Sequence, residues 1–274
     1  MHREVTLGSN QIRHVLFDFD GTLSLIRAGW AVVMARQWQE YLPPVPGENP
    51  EDLRATIKSE IWRLNGKPSI HQAARLAEWI QSRGGKALTA ETYEADYQER
   101  LAAVIHSRLW PVQTGTEAPD AFLVTGARRL LQDLTEAGLI LHLASGTVLG
   151  YVLTEARALK IDHFFEGRIH GPRDVNDKVF SKRAVIDALL VDWKTPGSSL
   201  VAFGDGHVEI QETKAVGGLA IAVASDEEDW RSGKIDEPKR DRLRAVGADY
   251  CIPDYQDRKR IQQTLGIPSK ITQN

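Results

Sequence analysis

A single cysteine, Cys251, stands among 274 residues. That excludes an internal disulfide framework and any zinc site built on several thiolates. Long apolar runs are also missing. Leu139–Ala144, among the longest, falls far short of the roughly 18–20 residues a bilayer span needs, and His142 interrupts it. The stretch Met1–Gln11 is polar and lacks the apolar core of a secretory signal. Together with the lone thiol, this predicts a cytoplasmic protein with no membrane partner. Neither sign of charge is in excess, since 34 basic residues face 37 acidic ones for a formal net charge of −3. A nucleic acid polymer calls for a strong basic excess, so it is not an expected partner.

What remains is an ordinary globular composition, 42% hydrophobic and 26% charged, in a length suited to one large domain or two smaller ones. No repeat or low-complexity tract breaks it. Cys251 reads as a strand residue without chemistry.

The first strong element is the apolar, aromatic run His14–Phe19, which enters Asp20-Gly21-Thr22. It reads as a buried strand ending in a glycine turn. Residues 28–110 look different. Segments 30–41, 51–63, 70–82 and 90–108 have helical spacing, and Ile70, Ala73, Ala74, Ala77 and Ile80 make one apolar face. Pro111–Pro119 reads as a linker back. After it, helical and strand patterns alternate. A helix capped by Thr125 ends at Gly138, and strand 139–144 follows. Then come helix 148–159, a short strand near Arg168-Ile169, helix 182–192 and strand 200–203. Helix 208–215, strand 219–223, an edge strand at 249–252 and helix 256–265 complete the series. This alternation predicts an α/β fold, a parallel sheet flanked by helices on both faces. The expected domains are a discontinuous α/β core, residues 1–25 and 115–274, and a helical insert, residues 26–114.

Ligands of such sheets sit beyond the carboxyl ends of the strands. Those ends are polar here. Strand 14–19 delivers Asp18 and Asp20, strand 139–144 delivers Ser145 and Gly146, and strand 200–203 delivers Asp205 with Glu209 four residues on. Lys182 opens the preceding helix. Acids converging this closely repel one another without a counter-ion, and hard oxygen ligands suit Mg²⁺. Asp18, Asp20, Asp205 and Glu209 are the candidate metal residues. Phosphoryl transfer gives each group a task. Asp18 can attack and form an aspartyl-phosphate. Asp20 can protonate the leaving oxygen and later activate water. Ser145, the Gly146 N–H and Lys182 can hold the phosphoryl oxygens.

These residues carry a resemblance. Asp18-Phe19-Asp20-Gly21-Thr22 resembles the first motif of the haloacid dehalogenase superfamily, and Ala144-Ser145-Gly146-Thr147 the second. Lys182 resembles the third, with Lys178 as fallback; Lys182 is preferred because it opens a helix 23 residues before Asp205. Gly204-Asp205-Gly206-His207-Val208-Glu209 resembles the fourth, with Glu209 where Asp is commoner, holding the metal directly or through a water. The resemblance implies a Rossmann-like core, a mobile inserted α-helical cap of the C1 type and Mg²⁺-dependent chemistry. The expected activity is hydrolysis of a phosphomonoester of a small metabolite, a sugar phosphate at family level. Asp20 discriminates here, because relatives that cleave carbon–halogen or carbon–phosphorus bonds lack that second aspartate. A phosphotransferase such as a sugar-phosphate mutase is the alternative, and a non-catalytic binding protein of this fold the third reading.

Other residues admit two readings. Arg27 and Trp30 could reach substrate from the hinge or simply pack it. His207 could contact substrate or sit at a helix start. Five of the seven tryptophans, Trp30, Trp38, Trp62, Trp79 and Trp110, fall between 30 and 110. They could offer a face for a sugar ring, but filling the core of a small helical unit is the favoured account.

Overall fold

A computed structural model describes residues 12–64, 68–174, 177, 179–226 and 229–267. Strand β1 (His14–Phe17) is followed by four helices, α1 (Trp30–Tyr41), α2 (Pro50–Arg63), α3 (Ile70–Ser82) and α4 (Ala90–Thr114). Strands and helices then alternate: α5 (Ala127–Glu136), β2 (Ile140–Ala144), α6 (Leu149–Ala158), β3 (Ile169–His170), α7 (Lys182–Asp192) and β4 (Leu200–Gly204). The series closes with α8 (His207–Ala215), β5 (Leu219–Val223), α9 (Glu237–Ala245), β6 (Tyr250–Ile252) and α10 (Arg258–Leu265). The chain divides into two compact units, one of residues 1–28 and 111–274, the other of residues 29–110. No helix among the described residues is long and apolar enough to cross a membrane.

The first unit is the expected α/β fold. Its six strands are all parallel in the order β3-β2-β1-β4-β5-β6, which puts β1 in the interior. His14 aligns with Ile140 on one side and Leu200 on the other. Strands covered on both faces run largely apolar, and His14–Phe17 is wholly buried. Leu16, Leu200 and Ala202 pack against Ile186 and Leu189 of α7. On the alternate positions, Phe17 stacks on Phe203 with 4.9 Å between centroids, and the buried Tyr255 ring meets both edgewise. The Tyr255 hydroxyl donates to the Thr22 carbonyl at 2.9 Å, tying the turn after β1 to the segment after β6. Leu25 N donates to Phe122 O, and Val124 N to Leu23 O. These bonds close the neck where the chain leaves this unit and returns.

The second unit has its own core. Met34, Trp38, Ile57, Ile61, Leu76, Ile80 and Tyr93 are buried together. Trp30 and Trp79 pack against that cluster, and Trp30 also meets Trp62 edgewise. Four of its tryptophans thus fill or flank the interior, while Trp110 is exposed.

Two boundaries differ from the sequence reading. Helix α4 continues through Pro111 instead of ending near 108, and it closes when Thr116 N and Glu117 N both donate to the Pro111 carbonyl. Helix α5 is preceded by Gly126, not capped by Thr125. Gly126 takes φ +82, and a Cβ there would lie 2.8 Å from the Tyr255 backbone, so the chain can turn at that point only without a side chain.

A histidine group beside β2 sets an acid sensitivity. His14 and His142 are buried and 3.3 Å apart, Nδ1 to Nε2. Burial first, then the charges of His14, Arg168 and His170, hold His142 down at about 3. The unfolded imidazole protonates near 6.5, so below that pH the unfolded chain binds the extra proton and stability falls. Glu155, raised to about 7, works in the opposite sense. The His142 contribution is therefore best isolated as the difference between wild type and His142→Leu. Chemical denaturation should show that difference shrinking by about 2 kcal/mol between pH 6.5 and pH 5. Parallel stability profiles for the two proteins would refute a buried neutral His142.

Candidate active site

The chain brings two groups of side chains to the carboxyl ends of β1, β2 and β4. Asp18 N donates to Phe203 O at 2.9 Å, which extends the β1–β4 ladder by one residue and holds Asp18 at the strand end. Ser145 N donates to His170 O in the same way beyond β2.

The first group is acidic. Asp18, Asp205 and Glu209 each place a carboxylate oxygen within 4.8 Å of the others. Lys182, the first residue of α7, stands against them with its Nζ 2.8 Å from both Asp18 Oδ1 and Glu209 Oε2. Ser181 caps α7 by accepting from Ala184 N, so the lysine is set by the helix start. Glu209 turns back over its own helix, and its Oε1 accepts from Gly206 N at 2.5 Å. Gly204 makes room for that turn, since a Cβ there would lie 2.0 Å from Glu209 Cγ. Gly21 has φ +73 and abuts the other acid; a Cβ at Gly21 would come within 2.3 Å of Asp205 Oδ2.

These surroundings set the charges. Burial raises the Asp18 carboxyl well above its ordinary value, the charges of Glu209 and Asp205 push the same way, and Lys182 opposes them. For Glu209 burial also raises, but the Lys182 ammonium outweighs it and holds the group below its usual range. Burial would lower Lys182, yet Asp18 and Glu209 together keep it firmly protonated.

The second group surrounds Asp20, whose carboxylate does not join the three acids. Among the four expected metal carboxylates, Asp20 is the one that turns elsewhere, because Thr147 Oγ1 donates to its Oδ2 at 2.8 Å and Ser145 Oγ lies 3.5 Å from the same oxygen. Ser145 Oγ also accepts from Thr147 N at 3.0 Å. On the other side Arg27 Nε lies 3.7 Å from Asp20 Oδ1. The same guanidinium donates from Nη2 to Glu155 Oε1 at 2.6 Å, and the Tyr151 ring lies 5.8 Å from it. Burial raises the Asp20 carboxyl, with Arg27 opposing. Two carboxyls two residues apart thus have different neighbours.

The remaining candidates lie as follows. Gly146 is exposed just past β2, and His207 is half-buried as the first residue of α8. Trp30 belongs to the other unit, against that unit's core. Lys178 lies outside the described residues. Three participants carried no role in the sequence reading. Thr147 sits within the second motif, and Glu155 is a buried acid on the inward side of α6, between Val152 and Ala156. Lys239 is a buried lysine on α9 whose Nζ donates to Asp205 Oδ2 at 2.9 Å. A glutamate inside an apolar helix stripe was the readable signal for Glu155. For Lys239 it was the Asp236 cap with Pro238 in the first turn.

Comparison with known proteins accords with this geometry. A family model described as haloacid dehalogenase-like hydrolase matches residues 12–217. The chain belongs to that family. No curated protein matches this hydrolase, but solved structures do. A hydrolase of the same family from Deinococcus radiodurans R1, with bound phosphate and sodium, is 14% identical with TM-score 0.64, over 96% of this chain and 100% of that one. A predicted phosphoglycolate phosphatase from Haemophilus somnus 129PT is 17% identical with TM-score 0.61, over 93% and 100%. A candidate beta-phosphoglucomutase from Thermotoga maritima is 18% identical with TM-score 0.57, over 89% and 96%. At these identities the likeness of this haloacid dehalogenase-like hydrolase to each of them is one of fold.

Proposed function

We propose that this hydrolase cleaves phosphomonoesters of small metabolites through an aspartyl-phosphate on Asp18. The observation that carries this reading is the separation of Asp18 from Asp20. One faces a lysine and two further acids, the other a threonine and an arginine. Three hard oxygen donors within 4.8 Å fit Mg²⁺. Asp18, Asp205 and Glu209 would hold the ion, which would supply positive charge to offset the repulsion between acids and phosphate.

The chain's own groups then divide the work. Asp18 attacks phosphorus as the bond to the leaving oxygen breaks, and Asp20 gives that oxygen its proton. Asp20 next takes a proton from water, which attacks the phosphoryl group, frees phosphate and restores Asp18. Lys182 balances charge on the transferring group, and Ser145 and the Gly146 N–H bind its oxygens. Arg27, held by Glu155, keeps a positive charge beside Asp20. The helical unit, inserted in sequence between Asp20 and Ser145, would serve as the cap that selects substrate and excludes water.

A second reading is favoured by the shared fold of the candidate mutase. The same residues would transfer the phosphoryl group to a sugar hydroxyl instead of water. A metabolite panel separates the two. Purified protein should release inorganic phosphate from some small phosphate esters with Mg²⁺, lose that activity with a chelator and regain it on adding Mg²⁺. An isomeric phosphate ester as product would establish the transferase instead. No turnover across a broad panel would dismiss both.

A further inference from the structure

Lys239 has no place in the four motifs, yet it reaches the acidic group. Asp236 caps α9 and its Oδ1 accepts from Lys239 N at 2.8 Å, which fixes where the side chain starts. The residue is 3% exposed, so its ammonium is taken out of water and must be paired there. Its Nζ lies 2.9 Å from Asp205 Oδ2. That oxygen also fills the space a side chain at position 21 would need, which glycine leaves open. Lys182 meanwhile covers Asp18 and Glu209. Every acid of the group thus has a lysine.

We propose that Lys239 is a tethered counter-ion of Asp205, a positioning residue that keeps the metal-free site compensated and makes a divalent cation enter against a fixed positive charge. The inference rests on the metal reading above. Two opposing charges a few ångströms apart in a partly buried site interact strongly. A site carrying its own ammoniums holds Mg²⁺ more loosely than three bare carboxylates would, and it stays folded when the ion leaves.

The test is Mg²⁺ affinity, read by calorimetric titration and by the Mg²⁺-dependent rise in melting temperature. Wild type, Lys239→Gln and Lys239→Arg are compared. Lys239→Gln should bind Mg²⁺ at least about tenfold more tightly and melt lower than wild type without metal. Lys239→Arg keeps the charge and should stay within about threefold of wild type. If Lys239→Gln is unfolded without metal, Mg²⁺ should restore a cooperative transition; continued unfolding in Mg²⁺ would overturn the proposal. Equal or weaker binding by Lys239→Gln, beside a clear wild-type response, overturns this inference alone. No Mg²⁺ response in wild type overturns the metal reading and this inference with it.

Discussion

Asp18→Asn should abolish phosphate release, with a loss of at least about 10⁴-fold in turnover. The substitution keeps the shape of the side chain, but an amide cannot attack phosphorus and form an acyl phosphate. It also removes the charge that Lys182 meets at 2.8 Å and one of the three carboxylates of the acidic group. The fold should survive. Burial and two neighbouring acids already press Asp18 toward its neutral form, so a neutral amide relieves repulsion within the group. Circular dichroism and melting should therefore match or exceed wild type while phosphate assays fall to background. Substantial residual activity would remove Asp18 from the nucleophile's role.

Asp20→Asn should show a different pattern, because its proposed task is to move a proton. An alkyl phosphate expels a basic alkoxide that needs protonation, and on such esters turnover should fall by about 10²–10⁴-fold. An activated aryl phosphate has a leaving group that departs without help. Phosphorylation of Asp18 should stay fast there, while the water attack that follows lacks its base. The variant should then release one equivalent of phenolate per enzyme in a burst and accumulate phosphorylated protein, detectable as a mass increase of about 80 Da, one phosphoryl group. Similar losses on aryl and alkyl esters, with no burst, would contradict this role. The Thr147 hydroxyl can still partner the variant's side chain, and circular dichroism should match wild type if its failure is chemical and not a collapse of the turn.

The α/β fold was legible because its apolar runs are short, regular and separated by turns. The helices of residues 29–110 were legible at nearly their full lengths, since period-3.6 faces such as that of Ile70–Ile80 are strong. Helix α9 was not. Its sequence Glu-Pro-Lys-Arg-Asp-Arg-Leu-Arg-Ala has almost no apolar stripe, and its buried residues are Lys239 and Leu243. The site divides in the same way. Asp18, Asp20, Ser145 and Asp205 could be found at strand ends, because strand order alone brings those ends together. Which cation meets which acid could not be found, because it depends on how side chains turn. Asp20 leaves the other acids for Thr147, and Lys239 comes from a segment 34 residues after Asp205. Arg27 bridges Glu155 and Asp20, a link that lies between elements distant in sequence.

The interior position of β1 has a consequence for how the protein is made. His14 pairs with Ile140 and Leu200, so β1, once synthesised, waits for more than a hundred residues before either partner exists. At ribosomal speed that is on the order of ten seconds. During that wait the second unit already has every residue of its own core, whereas β1 carries an unpaired apolar edge on each side. The nascent chain depends on later segments to shelter β1, and the hazard of wrong pairing falls on the segment that bears Asp18.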